Sequence, residues 1–280
     1  MIGSRYRGSS ALVTGASSGI GEAFARALAA GGADVLLTAL ADEREALERI
    51  ASELSAKHSV RTEVVPMDLS APEGPKSLVE AADRLAFEPR VLVNSAGFGV
   101  GGAFAEQSLD RQLAMIQLNV LALVAITGAY LPRMIRRGDG VVVNIASTAA
   151  LQPLPYFAVY AASKAFVLSF GEALWVEART AGVRTVTVCS GPVATAFHER
   201  AGDTGEATGI KRQMRQRYLT PDAVVDAAFA AVEANRPRAV LRLRGGRVLF
   251  GAASVAAAFV PRRWEMLAIE RVSRWLWPPE

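Results

Sequence analysis

"TGASSGIGEAFARALAAGG", residues 14–32, decides the fold. The apolar run "ALVTG" at 11–15 leads into it, and after glycines 15, 19 and 21 comes a helix-period series, Ile20, Phe24, Ala27 and Leu28. Glycines between a strand and a helix let the backbone turn tightly and approach a ligand, and the free amides and dipole at the helix start favour a pyrophosphate. The spacing is G-x3-G-x-G, not the commoner G-x-G-x-x-G. A turn of this kind alone is also compatible with a plain strand-to-helix connection; the strand before and the helix after weigh against that.

Working outward, short apolar runs alternate with helix-period segments: "DVLLTA" 34–39, "TEVVPM" 62–67, "RVLVNSAG" 90–97, "GVVVNIAS" 140–147, "VRTVTVCSG" 183–191 and "RAVLRL" 238–243. Continuous apolar strands separated by helices imply a parallel sheet covered on both faces. The expected architecture is a single doubly wound α/β domain, residues 1–243, with seven parallel strands. A C-terminal helical extension, 244–280, follows it.

Other classes have little support. The start, "MIGSRYRGSS", lacks the features of a secretory signal, and no uninterrupted apolar run reaches membrane-spanning length, so a cytoplasmic protein is expected. The lone Cys189 cannot form an internal disulfide and reads as buried packing, while His58 and His198 lie far apart without metal-ligand spacing, so no metal is expected. The net charge of +4 is uneven, because nine arginines against three glutamates fall between Arg236 and Glu280. The body is slightly acidic, which argues against nucleic-acid binding.

In "VYAASKAF", 159–166, Tyr160 and Lys164 share one helix face. A phenol with an ordinary pKa of about 10 is a poor acid or base near neutrality, and a neighbouring ammonium is expected to lower it. Ala161, Ala162 and Ser163 between them are small and leave room for neighbours to approach. A surface pair on an amphipathic helix is the alternative for this pair in isolation.

Taken together, these motifs resemble the short-chain dehydrogenase/reductase superfamily over residues 8–243. "TGASSGIG" matches its TGxxxGIG, Asp68 and Leu69 its pair near the adenine, and "NSAG", Asn94 to Gly97, its NNAG with Ser95 replacing the second asparagine. Asn119 in "QLNVLAL" matches the helix asparagine, Ser147 the serine thirteen residues before the tyrosine, and Tyr160 with Lys164 the YxxxK pair. "SGPVAT" stands for the PG motif, with Ser190 where proline is usual and Gly191, Pro192, Val193 and Thr195 matching.

The resemblance implies a Rossmann-type NAD(P)-dependent oxidoreductase. Its catalytic residues would be Asn119, Ser147, Tyr160 and Lys164: Tyr160 as proton donor or acceptor, Ser147 on the substrate oxygen, Lys164 on the nicotinamide ribose and Asn119 keeping a proton-relay water. The cofactor would be held by Gly15, Ser17, Ser18, Gly19, Ile20, Gly21, Arg44, Asp68, Leu69, Asn94, Ala96, Gly97, Tyr160, Lys164, Gly191, Val193 and Thr195. At the end of the second apolar run, "LLTALADERE", Ala39 takes the place of the acid that accepts from the ribose 2′-hydroxyl, and Leu40 stands where arginine is frequent. With no acid placed to repel a 2′-phosphate, NADP(H) is favoured over NAD(H), and Arg44 is the residue to watch.

By the same resemblance, Phe98, Gly99, Gln152, Leu154, Pro155, Tyr156 and Phe157 line the substrate pocket, and their apolar bias points to a hydrophobic carbonyl or alcohol. The segment after Thr195 has the composition of a lid, in which His198 reads as a solvated loop residue. The extension combines the uncharged run 248–260 with Trp264, Trp275 and Trp277 among arginines; it fits a subunit contact or pocket cover, and also a peripheral membrane contact. Relatives commonly form homodimers or homotetramers. Two other activities remain open at this point: reduction of a 3-oxoacyl thioester, and cofactor sensing or scaffolding without turnover, against which the intact Ser147, Tyr160 and Lys164 speak.

Overall fold

A computed structural model describes residues 6–195 and 218–241. His198, most of the expected lid and the extension 244–280 lie outside the described residues. The strands are β1 Ser10–Thr14, β2 Asp34–Thr38, β3 Thr62–Val64, β4 Val91–Asn94, β5 Gly140–Ile145, β6 Val183–Ser190 and β7 Arg238–Leu241. They form one sheet in the order β3-β2-β1-β4-β5-β6-β7, with every neighbouring pair parallel. The strand order reverses between β1 and β4, which opens a crevice at their carboxyl ends.

The apolar runs become strands because both sheet faces are covered. Helices α1 Gly19–Ala30, α2 Arg44–His58 and α7 Pro221–Glu233 pack one face; α3 Gly74–Arg84, α5 Leu123–Arg137 and α6 Ala158–Ala178 pack the other. Side chains alternate accordingly: Val13, Val35, Leu37, Val93 and Val143 join the first core, while Leu12, Leu36, Leu92 and Val142 join the second. Each of these nine is fully buried, so each contributes about 1.5–3 kcal/mol relative to exposure.

The third strand is shorter than the expected 62–67. Regular pairing ends at Val64, yet Val65 and Met67 still donate to the carbonyls of Leu37 and Ala39 at 3.0 and 2.7 Å; Pro66 between them occupies the position whose amide would face away from β2, on the sheet's outer edge, where a missing N–H costs the ladder nothing. Helix α4, Leu109–Ile116, starts where the Ser108 hydroxyl accepts from the Arg111 amide, and α5 ends at Gly138 with φ 70°. Between them Gln117–Ala122 is a π turn, so 109–137 is one unbroken helical run.

That run is long and apolar enough to cross a membrane, a property hidden from a search for uninterrupted apolar stretches by its scattered polar residues. Its buried residues Ile126, Tyr130 and Met134 pack against Leu92 and Val142 of the sheet. Helix α6 has a weakly amphipathic sequence for a geometric reason: it is buried along one side by β6, α4 and the π turn, yet carries Phe166 and Val176 outward at 42% and 55% exposure.

Candidate active site

The crevice is floored by a glycine cradle. Gly15 has φ +65°, and a Cβ there would lie 2.9 Å from Ala96 Cα; a Cβ on Gly21 would overlap the Gly15 carbonyl oxygen. Gly19, at φ +59°, lies under Thr195, whose Cγ2 would be 2.8 Å from its Cβ. Only glycine permits these approaches together, and they bring the N-terminus of α1 to the carboxyl end of β1. The cradle fits a pyrophosphate. Ser17 is buried, Ser18 precedes α1 without a side-chain cap bond, and Ile20 packs onto the first core.

The rims are tied down by polar side chains. Thr14 Oγ1 accepts from the Ser95 and Ala96 amides, both at 3.0 Å, and Asn94 Nδ2 donates to Thr127 Oγ1 at 3.0 Å and to Asn144 Oδ1 at 2.9 Å. Ser95 thus keeps its backbone role without the amide side chain of the usual motif. Asp68 Oδ1 accepts from the Ser70 amide and hydroxyl at 2.8 and 2.6 Å, beside buried Leu69. Across the crevice, the Gly191 amide donates to the Leu241 carbonyl at 2.8 Å, and Val193 bridges to Leu219. Arg44 opens α2 and pairs with Glu48 at 3.4 Å, both side chains 56% exposed.

Ser147, Tyr160 and Lys164 come together beside this cradle. Ser147 ends the turn after β5; its hydroxyl accepts from the Ala149 amide at 3.1 Å and shares a hydrogen bond with the Tyr160 phenol. Lys164 is 6% exposed, sits 5.9 Å from the centre of the Tyr160 ring and donates to the Ile145 carbonyl at 2.9 Å. Burial pushes the Tyr160 phenol up to about 12, against a smaller lowering by the Ser147 bond. Burial likewise brings the Lys164 ammonium down to about 8. This corrects the expected electrostatics: Lys164 is on the right face, but in the protein alone desolvation governs the phenol and the lysine is not among the causes of its shift.

Asn119 lies in the π turn, buried, and its side chain is fully engaged. Its Oδ1 accepts from the Phe98 amide at 3.1 Å, and its Nδ2 donates to the Phe98 carbonyl at 3.0 Å and to Ser163 Oγ at 3.1 Å. Ser163 in turn donates to the Tyr160 carbonyl at 2.7 Å. Ser163 is therefore more than a small spacer, and neither it nor Thr14 was singled out by sequence; in both, the signal is a hydroxyl inside a buried apolar stretch. Gly97 completes the contact, since a Cβ there would be 2.8 Å from Asn119 Oδ1.

Of the expected pocket residues, Phe98, Leu154, Tyr156 and Phe157 gather with Val100, Met115 and Tyr160 in one apolar cluster. Gly99 is buried; Gln152 and Pro155 are half-buried at the edge of the same loop and outside that cluster. Cys189 is fully buried, and burial raises its thiol to about 11, consistent with inert packing. Among the described residues no group of acidic, histidine or cysteine side chains is arranged to hold a metal ion.

A doubly wound sheet with a glycine cradle over its switch point defines a dinucleotide-binding α/β protein. The short chain dehydrogenase model matches residues 9–206, and the chain belongs to that family. It is 30% identical over 236 residues to the probable oxidoreductase EphD of Mycobacterium tuberculosis, covering 80% of this chain and 39% of that protein. It is 34% identical over 194 residues to the very-long-chain 3-oxoacyl-CoA reductase of Anas platyrhynchos, covering 67% of this chain and 61% of that protein. The chain thus spans about two fifths of the first relative's length and three fifths of the second's. Among solved structures, a short-chain dehydrogenase from Sphingobium yanoikuyae in complex with NADPH superposes with a TM-score of 0.75 at 29% identity, covering 92% of this chain and 94% of that one.

Proposed function

We propose that the protein is an NAD(P)-dependent oxidoreductase that interconverts a hydrophobic ketone or aldehyde and its alcohol, with NADP(H) preferred. The observation that carries this reading is the shared hydrogen bond of Ser147 and Tyr160 with Lys164 buried one turn along the same helix, beside the cradle. Cradle residues Gly15 to Gly21, with Asp68, Asn94 and Thr195 on the rims, would hold the dinucleotide, which when bound supplies or accepts a hydride. Ser147 hydrogen-bonds the carbonyl oxygen of the substrate, and the Tyr160 phenol delivers its proton to that oxygen; in the reverse direction the phenol receives it.

The apolar cluster of Phe98, Leu154 and Tyr156 around Tyr160 supports a hydrophobic substrate. NADP(H) is supported by the missing acid after β2, where Ala39 is buried and Leu40 is 44% exposed, and by the NADPH bound in the Sphingobium relative. A second reading, reduction of a 3-oxoacyl thioester, is favoured by the named activity of the duck relative. Exposed Leu109, Leu113 and Leu121 on the α4–α5 run and Phe166 on α6 support contact between copies of the chain. The test is cofactor absorbance in the full-length protein with NADPH or NADH, against aryl ketones, alkyl ketones and 3-oxoacyl thioesters. NADPH oxidation with ketones is the expected result; oxidation with thioesters alone would select the second reading, and none with any carbonyl would overturn both.

A further inference from the structure

The catalytic tyrosine is held by a ring that no motif names. Phe157 is the last residue before α6, with φ −136° and ψ 33°; its carbonyl accepts from the Ala161 amide at 2.8 Å and its amide donates to the Leu154 carbonyl at 3.1 Å. Its ring, in a side chain 8% exposed, meets the Tyr160 ring edge-on at 6.2 Å between centroids and 71° between planes. Such a pair has a preferred geometry, so moving one ring moves the other.

The tip of that ring rests on Gly101. A Cβ on Gly101 would lie 2.6 Å from Phe157 Cζ, 3.0 Å from Cε2 and 3.2 Å from Cε1. The backbone of Gly101 is not in the left-handed region, unlike that of Gly102 at φ +128°, so conformation alone does not require glycine at 101. What requires it is the aromatic ring.

A second observation points to the same junction. The Gly102 amide donates to the Tyr156 carbonyl at 2.8 Å, and Tyr156 has φ +65°, an unfavourable conformation for an aromatic residue. Strain of this kind persists only where the surroundings over-determine it. Here it joins the loop after β4, which carries Asn94 to Gly97 on the cofactor side, to the turn that launches α6. The two loops meet at Phe157, whose ring contacts both Gly101 and Tyr160.

We propose that Phe157 is a positioning residue for Tyr160, clamped between Gly101 and the tyrosine ring so that the loop after β4 fixes where the phenol stands. This rests on the reading above that Tyr160 is the proton donor. Proton transfer to a bound carbonyl tolerates little displacement, and an offset of about 1 Å can cost 10²-fold in rate.

The experiment is a double-mutant cycle in the full-length protein with Gly101→Ala, Phe157→Leu and both together, because coupling appears as non-additivity. Turnover is followed with NADPH and a ketone; NADPH affinity is read from cofactor fluorescence. The position of Tyr160 is read independently by fluorine NMR of protein carrying fluorotyrosine, its resonance assigned by loss in Tyr160→Phe. Gly101→Ala is expected to lower kcat about tenfold, leave NADPH affinity unchanged and shift the Tyr160 resonance but not those of Tyr6 and Tyr130. In the Phe157→Leu background, which removes the ring that clashes, the same glycine change should alter kcat less than about twofold.

Equal losses in both backgrounds, or an unmoved Tyr160 resonance, would overturn the proposal. If Gly101→Ala does not fold alone, its recovery by Phe157→Leu supports the clamp, and Phe157→Leu with unchanged kcat and resonance overturns it. Undiminished turnover in Tyr160→Phe instead sinks the functional reading, while the resonance still reports whether the clamp exists.

Discussion

Lys164 and Tyr160 lie on one face of α6 with the ammonium 5.9 Å from the ring centre, yet the lysine donates to Ile145, not to the phenol. Burial acts on both, in opposite senses of charge. The lysine is brought from 10.5 to about 8, so the unfolded chain binds more protons than the native one between those values, and stability rises with pH across that window. Tyr160 goes from 10.0 to about 12, so its contribution is complete below 10 and is lost as pH rises through 12.

Lys164→Met should therefore stabilise the protein at pH 7, by up to roughly 3 kcal/mol less whatever the lost hydrogen bond costs. The gain should fade as pH is raised towards 10. Urea unfolding at a series of pH values measures it; a gain that persists unchanged at pH 10 would show that the lysine is not held against its charge. The same variant should lose nearly all turnover.

Ser147→Ala removes the one hydrogen bond that lowers the Tyr160 phenol. Reduction needs the phenol protonated, so its alkaline limb should move to higher pH in the variant, while kcat falls by roughly 10²-fold or more for want of the donor on the substrate oxygen. The pH profile of kcat decides; a limb that moves down contradicts the assignment.

At the cradle, an alanine at Gly21 must push a methyl into the Gly15 carbonyl oxygen. Gly21→Ala is expected to weaken NADPH binding at least tenfold, and overpacking should cost about 1–3 kcal/mol. Calorimetric titration and thermal melting check the two effects separately. Unchanged NADPH affinity would remove the cradle from the cofactor site.

Arg44 opens α2 beside the missing acid and, among the described residues, is tied to one exposed partner, Glu48. An exposed pair is weak, so the guanidinium can turn to a 2′-phosphate at little cost. Arg44→Ala should raise KM for NADPH about tenfold and leave KM for NADH alone. Equal changes for both cofactors would place the selectivity elsewhere.

The sheet was legible because its central strands are buried on both faces, so burial wrote them as continuous apolar runs; β3, at the sheet's edge, ended at Val64, short of its run. Tyr160, Lys164, Ser147 and Asn119 were legible as spacing. Their roles in the protein alone were less so: spacing puts Lys164 beside Tyr160, but the net pKa depends on how deeply both are buried. Phe157 was legible as a pocket residue and Ser163 as a hydroxyl in a buried apolar stretch, but the contact of Gly101 with Phe157 forms only when the loop after β4 meets the turn before α6, and a linear pattern carries no mark of such a meeting.

Tyr160→Phe tests the central claim most directly. Removing only the hydroxyl should leave NADPH affinity within about twofold, since the cradle is untouched, and lower kcat for ketone reduction by at least about 10²-fold, the weight of a positioned proton donor. Unimpaired reduction by this variant would contradict the account.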